Sequence, residues 1–381
     1  LFMFNTVYFL KKRGHNIILI DTFEPNAGTK LVEAFNTQTI DFVISFGMAN
    51  NPILGDGTSL YNVTNATILA IYVDHPAYHI SSLTENIKNF LCCFNDRHHV
   101  DYVNEILPNH HKIAFFLPHG GLTKTMEEDN RIKNFKTYTK EKSIDILFSG
   151  TYMEKEPIFW ENNENYPSTL IYETFELFMK DDYLSIQGAF EIIFDKYKIK
   201  FSTIGKVQLS NLYKIFQNYV RSYSRVLVIK ELAEKGLNIT ICGAGWDDFV
   251  EDYENINYIG SLDIRENLEL IKKAKVLVNI TPTLRNGSHE RVFTGMLNNT
   301  VVFTDRSAYY DEYFENNKNI LYYSFNSLDE DVTKLKELLS NDKELFEMSQ
   351  NAYDIATKYH TWENRVDTML EMVKLSKLMD K

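Results

Sequence analysis

Polarity changes along the chain in short, regular blocks. Brief apolar, β-branched runs alternate with longer stretches in which apolar and charged residues recur at helical spacing. In the first third these runs are NIILID (16–21), DFVISFG (41–47), ATILAIYVD (66–74), NFLCCFND (89–96) and KIAFFLPHG (112–120). They are continuous rather than alternating, the pattern of strands covered on both faces in a parallel sheet. Strands separated by helical stretches make βαβ units and a doubly wound α/β sheet. The chain opens LFMFNTVYFLKKRGHNIILID, a helix followed by a strand, so a further strand is expected ahead of that helix.

A polar, Lys-rich stretch near 122–143 reads as a linker. The strand pattern then restarts with DILFSGTY (145–152), LNITICGAGW (237–246), INYIGSL (256–262), AKVLVNIT (274–281), TVVFTD (300–305) and NILYYSF (319–325). Between the first two of these lies a long helical segment, about 155–235, and from 327 onward the pattern is amphipathic helix. A chain of 381 residues exceeds the usual limit for one hydrophobic core. The expected division is an amino-terminal Rossmann-like domain over 1–140 and a carboxyl-terminal one over 141–355, with the helical insertion at about 155–235. A last helix over 356–381 would pack back on the first domain. Two doubly wound halves predict a cleft, with ligands beyond the carboxyl ends of the strands.

Composition narrows the function. An apolar fraction of 44% with 14% aromatics is ample for burial and excludes disorder. A net charge of -12 argues against a nucleic-acid binder, which would carry a basic face. Cys92, Cys93 and Cys242 fit no disulfide framework or zinc spacing and read as small core residues. Asn-x-Ser/Thr triplets such as 62–64 and 286–288 read as chance matches in an Asn-rich chain, whose composition suits an AT-rich bacterial genome. No apolar run reaches the roughly 18 residues of a membrane-spanning helix, so a soluble, cytoplasmic protein is expected.

Candidate chemistry lies at the strand ends. In YVDHP (72–76), Asp74 and His75 follow a strand. Either they form a general base, the imidazole titrating near ~6.5, or Asp74 caps a helix and His75 lies on the surface. In LPHGG (117–121), His119 stands beside two glycines that turn the chain. The His pairs at 98–99 and 110–111 point apart and read as solvated. FSGTY and CGAGW put Gly150, Gly243 and Gly245 directly after strands. Glycine there either lets backbone amides approach a phosphate or simply permits a tight turn.

The sharpest signal is NGSHERVFTGMLNNTVVFTD (286–305). Ser288 reads as the cap of the following helix. Arg291 puts a cation on the first turn, where the helix end is already positive, and so calls for an anion. A diphosphate would supply one and be stabilised as a leaving group; a carboxylate such as Glu290 is the other option.

The segments AKVLVNIT, HERVFTGMLNNTVVFTD, YYDEYFENNKNILYY and YHTWENRV (359–366) resemble the donor-binding half of GT-B glycosyltransferases, in particular the CgeB-like (spore maturation protein) group. VISFG and YVDHP resemble its amino-terminal half. The resemblance is specific from about 237 to 370 and loose across the 155–235 segment, which either docks an acceptor or packs the domains together. It implies two Rossmann-like domains facing across a cleft, a nucleoside-diphosphate sugar as donor (a UDP-sugar foremost) and a protein or cell-surface glycan as acceptor. Neither a metal nor another cofactor is implied.

By the same resemblance the loop and helix at 286–297 contact the phosphates and ribose, with His289 and Arg291 facing the diphosphate or sugar. Gly150, Gly243 and Gly245 border the donor, and Trp246 or Tyr258 packs near the base or belongs to the core. The group's ribose-binding Glu is Thr294 here and its small helix-end Gly is Asn299. Glu290 is the substitute ribose ligand, although on a regular helix its side chain points elsewhere. Asp74 or His75 would deprotonate the acceptor if the reaction inverts the anomeric centre, and would position it if the reaction retains. Asp329-Glu330-Asp331 reads as helix capping rather than metal binding. The alternatives are a GT-B nucleotide-sugar epimerase and a non-catalytic sugar- or nucleotide-binding module.

Overall fold

The computed structural model describes residues 2–47, 51–124, 129–152, 160–161, 167–200 and 204–379. The chain divides into two compact units, Leu1–Pro118 with Trp362–Lys381, and His119–Thr361.

The first unit is built on a four-stranded parallel sheet of β1 (Phe42–Phe46), β2 (Thr67–Tyr72), β3 (Phe90–Phe94) and β4 (Ile113–Phe116), in the order β1-β2-β3-β4. β2 and β3 are buried along their whole length, as their unbroken apolar runs require. The helix Trp362–Leu378 packs on the helix Phe2–Lys12: Phe2 stacks on Trp362 with ring centroids 5.3 Å apart, and Arg13 donates to Asp367 at 2.6 Å.

One expected strand does not form. Residues 16–21 carry no strand, and Ile18 and Leu19 are 50% and 57% exposed. A strand exists only through a neighbour's N–H and C=O groups, and the sheet ends at β1 without a described partner beyond it. His99, expected in solvent, is buried against His75 and Phe94.

The second unit holds β5 (Ile144–Ser149), β6 (Ile239–Cys242), β7 (Ile256–Tyr258), β8 (Ala274–Asn279), β9 (Val301–Asp305) and β10 (Leu321–Tyr323). All pair in parallel in the order β10-β9-β8-β5-β6-β7. The chain lays β5, β6 and β7 outward, then returns to place β8 against the other side of β5. The sheet therefore has its topological switch point between β5 and β8, where open α/β sheets leave a crevice at the carboxyl ends. Phe148 lies opposite Val278 in that register, so Gly150 and Asn279 emerge at the same edge.

The long helical segment appears as helices Ser168–Lys180, Ile186–Lys196 and Lys206–Glu234; residues 155–159, 162–166 and 201–203 lie outside the described residues. The Lys-rich stretch near 122–143 contributes core to the second unit: Leu122, Ile132 and Tyr138 are buried, and the helix Phe135–Glu141 starts on an Asn134 cap. Composition hides this, because a few apolar residues anchor a mostly polar segment.

Lys142 ends that stretch as a buried amine. Its Nζ donates to the Asn298 carbonyl at 3.1 Å and to Thr300 Oγ1 at 2.8 Å, with only Tyr138's ring for further company. Burial pushes its pKa well below the usual lysine value of 10.5, against a smaller opposing pull from Glu141. The unfolded chain then binds more protons than the folded one between the depressed pKa and 10.5, so stability rises with pH across that window. Unfolding in urea at pH 7 and pH 9 is expected to show this gain in the wild type and a smaller one in Lys142→Met. Equal gains in both proteins would mean that Lys142 stays charged when folded.

Candidate functional site

The crevice between β5 and β8 is where the second unit gathers positive charge. β8 ends on Asn279, whose side chain is held on both sides: Nδ2 donates to Thr281 Oγ1 at 3.0 Å and to Thr304 Oγ1 at 2.9 Å. That fixes Oδ1 as an acceptor for Arg291, whose Nη1 reaches it at 3.0 Å. The same guanidinium lies over the Phe148 ring of β5 at 5.9 Å, so Arg291 spans the switch point. From the other side, Arg225 on the helix Lys206–Glu234 donates to the Thr151 carbonyl just beyond β5 at 2.7 Å.

Among the described residues neither guanidinium has an ion-pair partner. Both are half-buried. Burial, together with the charges of Arg291 and Arg221, pushes Arg225 down to about 10. Arg291 is lowered too, by burial above all, with Glu290 pulling the other way. The site is thus a concentration of cations at the sheet edge with no counter-ion in hydrogen-bond contact among the described residues.

The helix Glu290–Leu297 starts beside it, and its cap is His289 rather than Ser288. His289 Nδ1 accepts from the Arg291 N–H at 3.2 Å, which requires an unprotonated nitrogen there. Burial, then the charges of Arg291, His119, Arg225 and Arg221, holds the ring well below the ordinary histidine pKa. His289 is therefore neutral, with its proton on Nε2. Ser288 is taken by another partner: its Oγ accepts from the His119 N–H at 2.9 Å, and its carbonyl accepts from His119 Nδ1 at 2.7 Å. A serine before a helix is a good cap, but His119 claimed the hydroxyl, and the next residue along the chain supplied the lone pair instead.

Glu290 and Thr294 face each other one turn apart. Thr294 Oγ1 donates to Glu290 Oε2 at 3.0 Å and accepts from the Leu122 N–H at 3.0 Å. Thr294 is 1% exposed, so it has no room for a ribose; it anchors the segment at 119–122 instead. Gly121 belongs to the same seam, since a Cβ there would lie 2.7 Å from the Phe293 backbone. Asn299 sits at φ 54 after the helix and holds the 130–132 segment, accepting from the Ile132 N–H at 3.0 Å and donating to the Asn130 carbonyl at 2.7 Å. Asparagine tolerates that left-handed backbone, which explains why it can stand where the resembling group has glycine.

The glycines after β5 and β6 serve close packing of two loops. Gly150 N–H donates to the Cys242 carbonyl at 2.8 Å and Gly243 N–H to the Gly260 carbonyl at 2.9 Å, so those amides are spent inside the protein. Gly243 adopts φ 135, and a Cβ there would stand 2.2 Å from the Gly150 carbonyl oxygen. Gly245, at φ 85, completes the turn. Trp246 is fully buried with Nε1 donating to the Gly150 carbonyl at 2.8 Å, which makes it a core wedge rather than a surface for a base. Tyr258 is half-buried, and its hydroxyl donates to the Gly243 carbonyl at 2.9 Å, tying down the same turn.

In the first unit, His75 caps the short 3-10 helix Pro76–His79, Nδ1 accepting from the Ala77 N–H at 3.1 Å. It is buried, and burial with the nearby His79 pushes it down to about 3, so it is neutral at neutral pH with its Nδ1 lone pair spent on the cap. Asp74 is exposed whereas His75 is buried, so the two do not share one environment. In the other unit, Asp331 accepts from the Ser327 hydroxyl at 2.7 Å and the Ser324 N–H at 3.1 Å at the start of the helix Leu328–Leu338. Sequence reasoning missed Arg225. Its one signal is the pair Arg221 and Arg225, like charges four apart on one helix face with no acidic residue between.

No curated protein sequence matches the chain. Sucrose-phosphate synthase from Thermosynechococcus elongatus superposes with a TM-score of 0.50 at 11% identity, over 92% of this chain and 78% of that one. AviGT4, a glycosyltransferase involved in avilamycin A biosynthesis, does so with a TM-score of 0.50 at 11% identity, over 98% of this chain and 88% of its own. TarM aligns at a TM-score of 0.44 and 13% identity over 80% of this chain, which spans 54% of TarM's length. No described helix is long and apolar enough to cross a membrane. Residues 221–371, which include Arg225, the Gly243 turn and the Glu290 helix, match the family model described as "Glycosyl transferase-like". Residues 221–371 thus form a glycosyl transferase-like domain, and the chain has a GT-B fold.

Proposed function

We propose that this glycosyltransferase takes its sugar from a nucleoside-diphosphate donor, a UDP-sugar foremost, and delivers it to a protein or cell-surface glycan in the cytoplasm, as a member of the CgeB-like group. The observation that supports this best is the pair of guanidiniums, Arg291 and Arg225, held at the switch point with no ion-pair partner among the described residues. Half-buried charges so arranged call for an anion, and a diphosphate fits the need. Binding it relieves the repulsion between the arginines. The same contacts strengthen as the sugar–phosphate bond breaks and charge collects on the departing oxygen.

Roles follow from the chemistry of each group. Arg291 and Arg225 neutralise the leaving diphosphate, and so supply the positive charge that a divalent cation would otherwise bring. His289 offers a neutral Nε2–H donor to a phosphate or sugar oxygen without adding a third charge. Glu290, already satisfied by Thr294, sets the first turn of the helix. In the first unit Asp74 is the base for an inverting transfer, because His75 is committed to its cap; in a retaining transfer Asp74 would position the acceptor.

Thermal melting with a panel of nucleoside diphosphates and nucleotide sugars tests the donor site. A ligand present at 100 times its dissociation constant adds about 2.7 kcal/mol, so one nucleotide is expected to raise the melting temperature of the wild type. Arg291→Ala and Arg225→Ala are expected to lose most of that rise while still folding. No rise with any nucleotide would overturn the reading. Asp74→Ala is expected to abolish transfer while the nucleotide-induced rise persists; near-normal turnover would remove Asp74 from the base role. Product that forms only with an acceptor present separates a transferase from an epimerase.

A further inference from the structure

The helices Ser168–Lys180 and Ile186–Lys196 lie outside the 221–371 segment matched to the glycosyltransferase-like model and add no strand to the sheet. One link from them to the site runs through a single buried side chain. Arg285 sits in the loop between β8 and the Glu290 helix, and its side chain is wholly buried. Its guanidinium reaches across to the end of the Ser168–Lys180 helix: Nη1 donates to the Asp182 carbonyl at 3.0 Å and Nη2 to the Phe178 carbonyl at 3.4 Å. It also lies over the Phe178 ring at 4.7 Å. Phe178 is in the last helical turn, where carbonyls have no partner within the helix and the helix end is negative. The Asp182 carboxylate stands further off, at 3.8 Å.

The turn that receives Arg285 is itself tied down. Asp182 faces Arg306 at 3.9 Å, Tyr183's hydroxyl donates to Asp311 at 2.8 Å, and Asn326 Nδ2 donates to the Lys180 carbonyl at 2.8 Å. On the loop side, the Arg285 carbonyl accepts from the Ala308 N–H at 2.9 Å. The Gly287 N–H donates to Ser307 Oγ at 3.0 Å, and the His289 N–H donates to the Tyr310 hydroxyl at 2.9 Å. Arg285 is thus the side chain by which this loop grips the added helices, four residues before the cap that aligns Arg291.

We infer that Arg285 is a positioning residue: the added helices hold the ligand loop through its guanidinium, and so set the affinity of the site for a diphosphate. The choice of diphosphate rests on the function proposed above; the ordering of the loop does not. A buried cation seated on helix-end carbonyls is a stiff joint, because moving the loop would strip it of its acceptors. Small displacements of a charged anchor weaken binding steeply, so a loop freed at 285 would place Arg291 poorly for its anion.

The test uses the full chain with inorganic pyrophosphate as probe. Pyrophosphate affinity is measured by calorimetry and amide exchange by mass spectrometry, for wild type, Arg285→Met, Arg285→Lys and Asp182→Asn. Arg285→Met is expected to melt cooperatively, exchange faster over 286–291, and bind pyrophosphate about tenfold more weakly or worse. Arg285→Lys restores part of both, since it keeps the charge but not the fork. Should Arg285→Met fail to fold, Asp182→Asn carries the test with smaller shifts in the same directions. Unchanged exchange over 286–291 in the folded variants would overturn the inference, as would unchanged affinity accompanying faster exchange. Pyrophosphate that fails to bind the wild type would sink the donor site instead, while the exchange data would still decide whether Arg285 orders the loop.

Discussion

Positive charge that no described carboxylate pairs with is the constraint around which the second unit is arranged. Arg291 has an amide oxygen and an aromatic ring for company, and Arg225 has a backbone carbonyl. Partners of this kind satisfy donors but do not cancel charge, so the groups around them have to avoid adding more. His289 meets that condition: burial and the neighbouring arginines hold it neutral, and it spends a ring lone pair as the helix cap. Glu290, the nearest acid in sequence, accepts a hydrogen bond from Thr294 and offsets part of the Arg291 charge without forming an ion pair with it.

The walls of the site follow from the need to hold these cations still. Two glycine turns cross at a distance that no Cβ would permit, and Trp246 and Tyr258 fasten them by donating to carbonyls within them. On the opposite flank, Asn299 takes a left-handed backbone and binds the 130–132 segment, while Thr294 binds the segment at 122. Thr294 and Asn299 are thus used to bind the protein to itself. Arg285 continues the pattern toward the added helices, exchanging water for a helix end.

Much of the architecture is legible in the chain because burial on both faces of a parallel sheet leaves unbroken apolar runs. β1 to β10 all fall within such runs, and the helical segments between them carry the expected periodicity. NIILID has the same composition and forms no strand, since nothing in six residues states whether a neighbouring strand exists to pair with them. Arg291 was legible for a different reason: a cation on the first turn of a helix conflicts with the local dipole, and the conflict can be seen without any tertiary knowledge. Arg225 creates no such conflict with its own helix and so passed as an ordinary surface charge.

What the sequence determined by itself, then, was what depends on neighbours a few residues away: element type, sheet class, and the unfavourable placement of Arg291. The tertiary structure alone decided which partner each polar group took. Ser288 lost its capping role to an amide 169 residues distant, and His75 became a buried cap instead of a base. Trp246 went to the core because the carbonyl of Gly150, 96 residues earlier, was there to receive its indole proton. Several candidates could satisfy each such group along the chain, and folding selects among them by packing, which has no local trace.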